Sequence, residues 1–158
     1  MIRIENADTA ELLPYVREFF VEYSESTGVD LCFQGFAQEL ASLPGKYARP
    51  AGRLLLAYED DRAIGCGALR PIERGVCEMK RLYVRPGFRG TGAGGALMQW
   101  LIRSAKEIGY QKIRLDTLPS MGTAIAIYRS HGFKEISPYY RNPVPGALFF
   151  ELNLKRYT

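Results

Sequence analysis

From residue 54 to residue 84 the chain reads as short apolar strands with tight turns, and after Arg85 and Pro86 it turns to glycine and then to a long helical period. Residues 54–58 and 63–69 are strand-like, and Glu59, Asp60, Asp61 and Arg62 lie between them, so the pair reads as a β-hairpin. Residues 77–84 follow after a short connection and form a third strand of the set, antiparallel to the second. Beyond the glycines, Met98, Leu101, Ile102, Ala105 and Ile108 recur at helical spacing over residues 91–108, and Gly109 stands where a C-cap glycine belongs. Residues 113–117 then alternate as a strand. A helical crossover separates it from the strand before the glycines, so those two strands should run parallel. A hairpin feeding one strand–loop–helix–strand unit implies a mixed sheet and excludes an all-helical or all-antiparallel fold.

The flanks fit around that unit. Residues 1–5 alternate as a short edge strand. Residues 9–23 form an amphipathic helix with Leu12, Leu13, Val16, Phe19, Phe20 and Tyr23 on one face, and Pro14 in its first turns is tolerated. Residues 36–43 read as a shorter helix ended by Pro44 and Gly45, followed by a loop to residue 52. Ser120 is the expected N-cap of a helix running to His131 and closed by Gly132. Residues 133–136 and 147–154 finish as strands around a loop with three prolines. With 158 residues, no repeat and no linker, residues 1–158 read as a single domain.

Composition narrows the class. Hydrophobic residues make up 47% and charged residues 24%, which is globular rather than disordered. No apolar run approaches the ~18 residues of a membrane span, and the N-terminus lacks a basic-then-apolar leader pattern. Cys32, Cys66 and Cys77 are odd in number and lack metal-ligand spacing, so a reduced, cytoplasmic protein without a metal centre is expected. The net charge of +4 is unevenly placed. Residues 79–106 hold six basic residues and no acid, whereas residues 1–42 hold eight acids and two bases. A basic centre in an acidic chain points to a local anionic ligand. Nucleic acid would want a broader basic footprint with exposed aromatics, and no nucleic-acid or membrane partner is expected.

The glycine segment Arg89, Gly90, Thr91, Gly92, Ala93, Gly94 and Gly95 lies between a strand and a helix. Successive backbone N–H groups there can converge on phosphate oxygens, helped by the helix dipole. Arg85 and Arg89 add positive charge at its mouth. Gly90, Gly92 and Gly95 also satisfy the lettering G-x-G-x-x-G, with Asp116 at a later strand end. Three points count against a dinucleotide fold: the loop starts too far after its strand, only one βαβ unit exists, and no substrate domain fits. A Walker A loop fails because no Gly-Lys-Ser/Thr follows.

The stretch MKRLYVRPGFRGTGAG at residues 79–94 resembles the acetyl-CoA signature of the GNAT N-acetyltransferases, whose pattern Gln/Arg-x-x-Gly-x-Gly/Ala is met by Arg89, Gly92 and Gly94. A second stretch, AIAIYRSHGF at residues 124–133, is similar to that family's alanine-rich helix ending in Tyr-x-x-x-Gly-Phe. The resemblance implies an α/β (α+β) fold: a mixed, strongly twisted, largely antiparallel sheet with splayed central parallel strands at residues 78–84 and 112–117, and helices on both faces. It further implies transfer of acetyl from acetyl-CoA, as co-substrate, to a small-molecule or peptide amine by direct attack. Backbone groups of Leu82, Tyr83 and Val84 would pair with pantetheine, and Arg89, Gly90, Thr91, Gly92, Ala93, Gly94 and Gly95 would hold the pyrophosphate. A backbone N–H near Leu82 would support the oxyanion. Tyr128 holds the family position of the general acid, and Glu78 on the splayed strand is the candidate base. The family's asparagine before the last helix is missing, and Ser120 and Thr123 stand in that stretch.

Other residues carry plainer expectations. His131 reads as a helix C-terminal residue and the cysteines as packing residues. Trp100 reads as core or interface, and a homodimer is the assembly considered. The segment at residues 28–52 and the tyrosine- and proline-rich loop at residues 137–146 are the candidate acceptor surfaces, with Tyr139, Tyr140, Arg141 and Asn142 as expected lining; the acidic N-terminal third hints at a cationic acceptor, whereas Arg141 would suit one with a carboxylate. Two other classes compete: a non-catalytic sensor of CoA or acyl-CoA, and a small dinucleotide-binding protein. Binding of acetyl-CoA against NAD(H), and thiol release with a panel of amines, would separate the three.

Overall fold

The computed structural model describes residues 1–28, 30–31 and 35–156, so Cys32 lies outside the described residues. Seven strands form one sheet: β1 (Ile2–Asn6), β2 (Arg53–Glu59), β3 (Arg62–Glu73), β4 (Val76–Val84), β5 (Lys112–Thr117), β6 (Lys134–Ile136) and β7 (Leu148–Asn153). Their order is β1-β2-β3-β4-β5-β7-β6, so the first strand is an edge. Every neighbouring pair is antiparallel except β4 and β5, which are parallel. The helices are α1 (Leu13–Thr27), α2 (Phe36–Ala41), α3 (Ala93–Ile108) and α4 (Gly122–Ser130). No described helix is long and apolar enough to cross a membrane.

Both faces of the sheet are covered, which explains the unbroken apolar run in β2. Leu55 and Ala57 join Leu97, Met98, Leu101 and Ile102 of α3 in one core. Leu54 and Leu56 point the other way, into a second core with Val16, Phe19 and Phe20 of α1. Two-sided burial replaces the in–out alternation of a half-exposed strand with continuous leucine.

The boundaries of α1 and the N-cap of α4 depart from expectation, and α2 ends at Ala41 and α3 starts at Ala93, each two residues inside the expected helix. Leu12 and Leu13 donate to the Thr9 carbonyl in a preceding turn, so α1 starts late, with Pro14 in its first two positions. It then continues through Ser24–Thr27 to Gly28, whose φ of 67° ends it. Ser120 does not cap α4; the cap position is Met121, which makes no side-chain cap hydrogen bond.

Strand β4 positions the site. It pairs with β5 only at Val76, Cys77 and Glu78, and the two strands part from Met79 onward. On its other side it stays paired with β3, but the register shifts between Lys80 and Tyr83, where Arg81 adopts φ +60°. This is a β-bulge, an extra residue that bends the strand and raises its twist. As a result Arg81 and Tyr83 both face the α1 side, where Arg81 lies over the Tyr23 and Phe36 rings and Tyr83 packs beside Phe19.

Candidate active site

A cleft of about 790 Å³ opens where β4 and β5 diverge. Its walls include Leu82, Tyr83 and Val84 of β4, the glycine loop, Asp116 and Thr117 of β5, and Ala124, Ile127 and Tyr128 of α4. Two features of the strand make the cleft. Beyond Glu78 the β4 edge facing β5 has no strand partner among the described residues. The bulge then swings the chain toward the glycine loop.

The loop holds its shape by local bonds. Thr91 donates its hydroxyl to the Phe88 carbonyl at 2.6 Å and accepts from the Ala93 N–H at 3.3 Å. Gly90 and Gly92 adopt φ of 92° and 90°, a region that side-chain-bearing residues seldom enter. Gly92 is also the N-cap of α3. Among the described residues, the N–H groups of Gly90, Gly92, Gly94 and Gly95 donate to no protein acceptor. They cluster at a helix N-terminus, where orphan donors and the dipole favour an anion. Arg89 lines the cleft and donates to the Val84 carbonyl at 3.2 Å.

Arg85 behaves differently from its expected place at the loop mouth. Its guanidinium is held by Glu22 at 2.7 Å and Glu18 at 3.0 Å, and it lies over the Phe19 ring. Arg81 is likewise bound by Glu39 through two nitrogens at 3.0 Å. Arg81 and Arg85 of the basic centre are thus paired with acids of the N-terminal third. Glu18, Glu22 and Glu39 are held by these arginines.

Tyr128 is buried, packs against Phe133 and Phe150, and lines the cleft. Its hydroxyl makes no hydrogen bond among the described residues. Burial, with smaller contributions from Tyr23 and Asp116, pushes its pKa well above the usual phenol value, so it holds its proton at neutral pH.

Glu78 does not stand where a base for the cleft would. Its carboxylate is buried, with one oxygen taken by Arg70 at 2.9 Å and the other by the Tyr139 hydroxyl at 2.5 Å. It pairs in register with Arg114 of β5, before the strands separate, and so lies behind the opening. The carboxylate that the cleft does present is Asp116, two residues further along β5, with Lys80 of β4 opposite. Asp116 accepts from Tyr140 and, at 2.9 Å, from Asn142. Asn142 belongs to the loop that the sequence marked as candidate acceptor-site lining, and it does line the cleft, whereas Asp116 and Lys80 were not singled out as site residues. Asp116 and Lys80 alternate with apolar residues on their strands and so belong to one face, but only the strand divergence shows that this face borders a cavity. Arg141 is not among the cleft residues.

Ser120 and Thr123, from the stretch that lacks the family asparagine, both line the cleft. His131 lies at the C-terminal end of α4, with Nδ1 3.0 Å from the Ile127 carbonyl, outside the cleft. Cys66 and Cys77 are buried. Burial raises both thiols, Cys77 to about 12, which leaves them protonated and poor nucleophiles. Trp100 is partly exposed on α3.

The comparisons agree with this geometry. The sequence profile of the Acetyltransferase (GNAT) family matches residues 13–133. An uncharacterized N-acetyltransferase of Schizosaccharomyces pombe is 41% identical over 137 residues, covering 85% of this chain and 84% of its own length. A GNAT-family acetyltransferase from Staphylococcus aureus superposes with a TM-score of 0.80 at 22% identity, over 98% of this chain and 99% of its own. The acetyltransferase yncA of Salmonella typhimurium, solved with its cofactor acetyl-CoA, superposes with a TM-score of 0.70 at 20% identity, over 99% and 95% of the two chains.

Proposed function

Because the chain belongs to the GNAT family of acetyltransferases, we propose that it moves the acetyl group of acetyl-CoA to a primary amine by direct attack of that amine on the thioester. The observation that carries the reading is convergence: an unpaired strand edge, a loop of open amides and a protonated phenol meet in one cleft.

These residues fit the ligand. The unpaired edge at Leu82, Tyr83 and Val84 suits an extended chain carrying amides, which would add to β4 as another strand. Gly90, Gly92, Gly94 and Gly95 offer N–H groups to a pyrophosphate, and Thr91 and Ala93 brace the loop that presents them. Arg89 is the cation at that end. Bound there, acetyl-CoA supplies an activated acyl group as a thioester.

The remaining steps belong to the chain. Holding the two reactants in one cleft turns a bimolecular reaction into an internal one. Backbone N–H groups of the bulged part of β4 donate toward the thioester carbonyl as negative charge develops on it. Tyr128, kept neutral by burial, gives its proton to the departing sulfur. Glu78 anchors the loop after β6 through Tyr139 rather than taking a proton from the acceptor.

Thiol release from acetyl-CoA, followed across a panel of primary amines, tests the reading. Turnover with at least one amine, lost when acetyl-CoA is replaced by CoA, supports it. Tight binding of acetyl-CoA with no amine-dependent thiol release would favour the sensor instead.

A further inference from the structure

A smaller hollow of about 280 Å³ lies where α2, the turn at Gly45–Tyr47 and Arg70 of β3 meet. Gln38, Glu39, Ser42, Lys46, Tyr47 and Arg70 give it its polar groups. It shares no described lining residue with the cleft. Arg81 lines the cleft and Glu39 lines the hollow, and their ion pair at 3.0 Å stands between the two. The hollow therefore needs an account of its own.

Its donors outnumber its acceptors. Tyr47 is 2% exposed and packs edge-on against Phe20, yet its hydroxyl makes no hydrogen bond among the described residues. Buried polar groups are seldom left so. Burial, and then the charge of Glu39, raises the pKa of this phenol, so it keeps a proton to donate. Arg70 gives Nε and Nη2 to one oxygen of Glu78, each at 2.9 Å, and its Nη1 donates to no protein acceptor among the described residues. Lys46 is exposed beside them and makes no ion pair among the described residues. The one carboxylate in the lining, Glu39, has each oxygen taken by Arg81 at 3.0 Å. With Glu78 and Arg81 included, three cations face two anions, which leaves one positive charge in excess. Open N–H and O–H donors with a single surplus charge suit a monoanion with two acceptor oxygens. The volume admits a carboxylate with a short tail and is too small for a nucleotide.

We propose that this hollow is a second binding site, for a small monocarboxylate, with Tyr47 Oη and Arg70 Nη1 donating to its oxygens and Lys46 supplying the balancing charge from the exposed rim. The carboxylate gives the buried phenol the acceptor that the fold does not provide. The site goes beyond the transfer reaction and does not depend on it, because its residues lie on the far side of the Arg81–Glu39 pair from the cleft.

The test titrates benzoate, and benzamide as its neutral counterpart, into the full chain with CoA in excess to keep anions off the glycine loop. Backbone amide resonances of Gly45, Lys46 and Tyr47 should shift and saturate with benzoate, with those of Gly90–Gly95 unmoved. The Kd for benzoate should be on the order of 1 mM, and benzamide should bind at least about tenfold more weakly. Tyr47→Phe should weaken benzoate by on the order of tenfold, the loss of one hydrogen bond to a charged group. Without benzoate the same variant should match or exceed the wild-type Tm, because it removes a buried hydroxyl that the fold leaves unsatisfied. Lys46→Gln, a surface change, should weaken benzoate by about threefold. Equal binding of benzoate and benzamide, shifts confined to the cleft, or wild-type benzoate affinity in Tyr47→Phe overturns the site. So does a clear fall in Tm of Tyr47→Phe without ligand, since the hydroxyl would then have a partner in the fold. The wild-type comparison of acid with amide decides the matter even if a variant does not fold. Amine-dependent thiol release is read separately, so either result leaves the transferase reading where it stands.

Discussion

Replacing Gly92 with aspartate separates the fold of the glycine loop from its proposed task of holding pyrophosphate. Gly92 sits at φ 90°, and a Cβ built there meets no protein atom within 4 Å. The folding penalty therefore comes from backbone strain alone, about 1–2 kcal/mol for a left-handed side-chain-bearing residue. A carboxylate at the N-terminus of α3 recovers about 0.3–1 kcal/mol from the helix dipole. The net loss is about 1 kcal/mol, or roughly 3 °C in Tm for a chain of this size. Affinity behaves otherwise. A carboxylate about 5 Å from one phosphate charge repels it by about 3 kcal/mol at an effective dielectric of about 20. That is on the order of 10²-fold in Kd. Gly92→Ala carries the same strain without the charge and should lose less than about tenfold in affinity. Calorimetric titration of CoA into both variants, alongside thermal melts, makes the comparison. Wild-type affinity in a folded Gly92→Asp protein would refute the placement of the pyrophosphate on this loop.

Tyr128→Phe should lower kcat by on the order of 10²-fold with little change in Tm, since the hydroxyl makes no hydrogen bond among the described residues. Steady-state kinetics showing kcat within about threefold of wild type, under conditions where chemistry limits turnover, would remove it from the reaction. Glu39→Gln removes the carboxylate that binds the Arg81 guanidinium, whose side chain is 1% exposed. Urea unfolding should register a loss of about 3–5 kcal/mol, partly recovered when Arg81 is replaced by methionine as well. Arg85, and in the second pair Arg49, hold the carboxyls of Glu22 and Asp8 below their ordinary values of 4.5 and 3.8. Because the folded-state pKa values are depressed, their stabilisation is complete above about pH 4.5 and is lost as the pH falls through the lowered values. The double variant Glu22→Gln with Asp8→Asn should flatten the fall of Tm with acid in that window, and an unchanged slope would show that the pairs contribute nothing.

Most of the fold was legible because its signals are local. The hairpin at Asp60, the helical period of Leu97 to Ala105, the glycine after Ile108 and the alternation of Ile113 and Leu115 each depend on neighbours a few residues away. The late start of α1 and the failure of Ser120 as a cap were not legible, because several residues compete for each terminus and packing chooses among them. The glycine loop was the clearest part of the site, since both its φ requirement and its open amides follow from residue type.

Pattern alone determined that a strand must lead through glycines into a helix and back to a parallel strand, and it pointed to that turn as the place for the proposed pyrophosphate. Tertiary structure alone decided which charges remain for a ligand. Arg81 and Arg85 counted as a basic patch along the chain, yet Glu39 and Glu22 reach them from 42 and 63 residues away. Glu78 was the candidate base on paper and Asp116 only the residue at a later strand end, yet the strands part between them, closing Glu78 behind Arg70 and Tyr139 and leaving Asp116 to line the cleft. The reason is physical: a glycine or a helical period acts through its own backbone, whereas a charge acts through whatever lies within a few ångströms, and that is set only when distant segments meet.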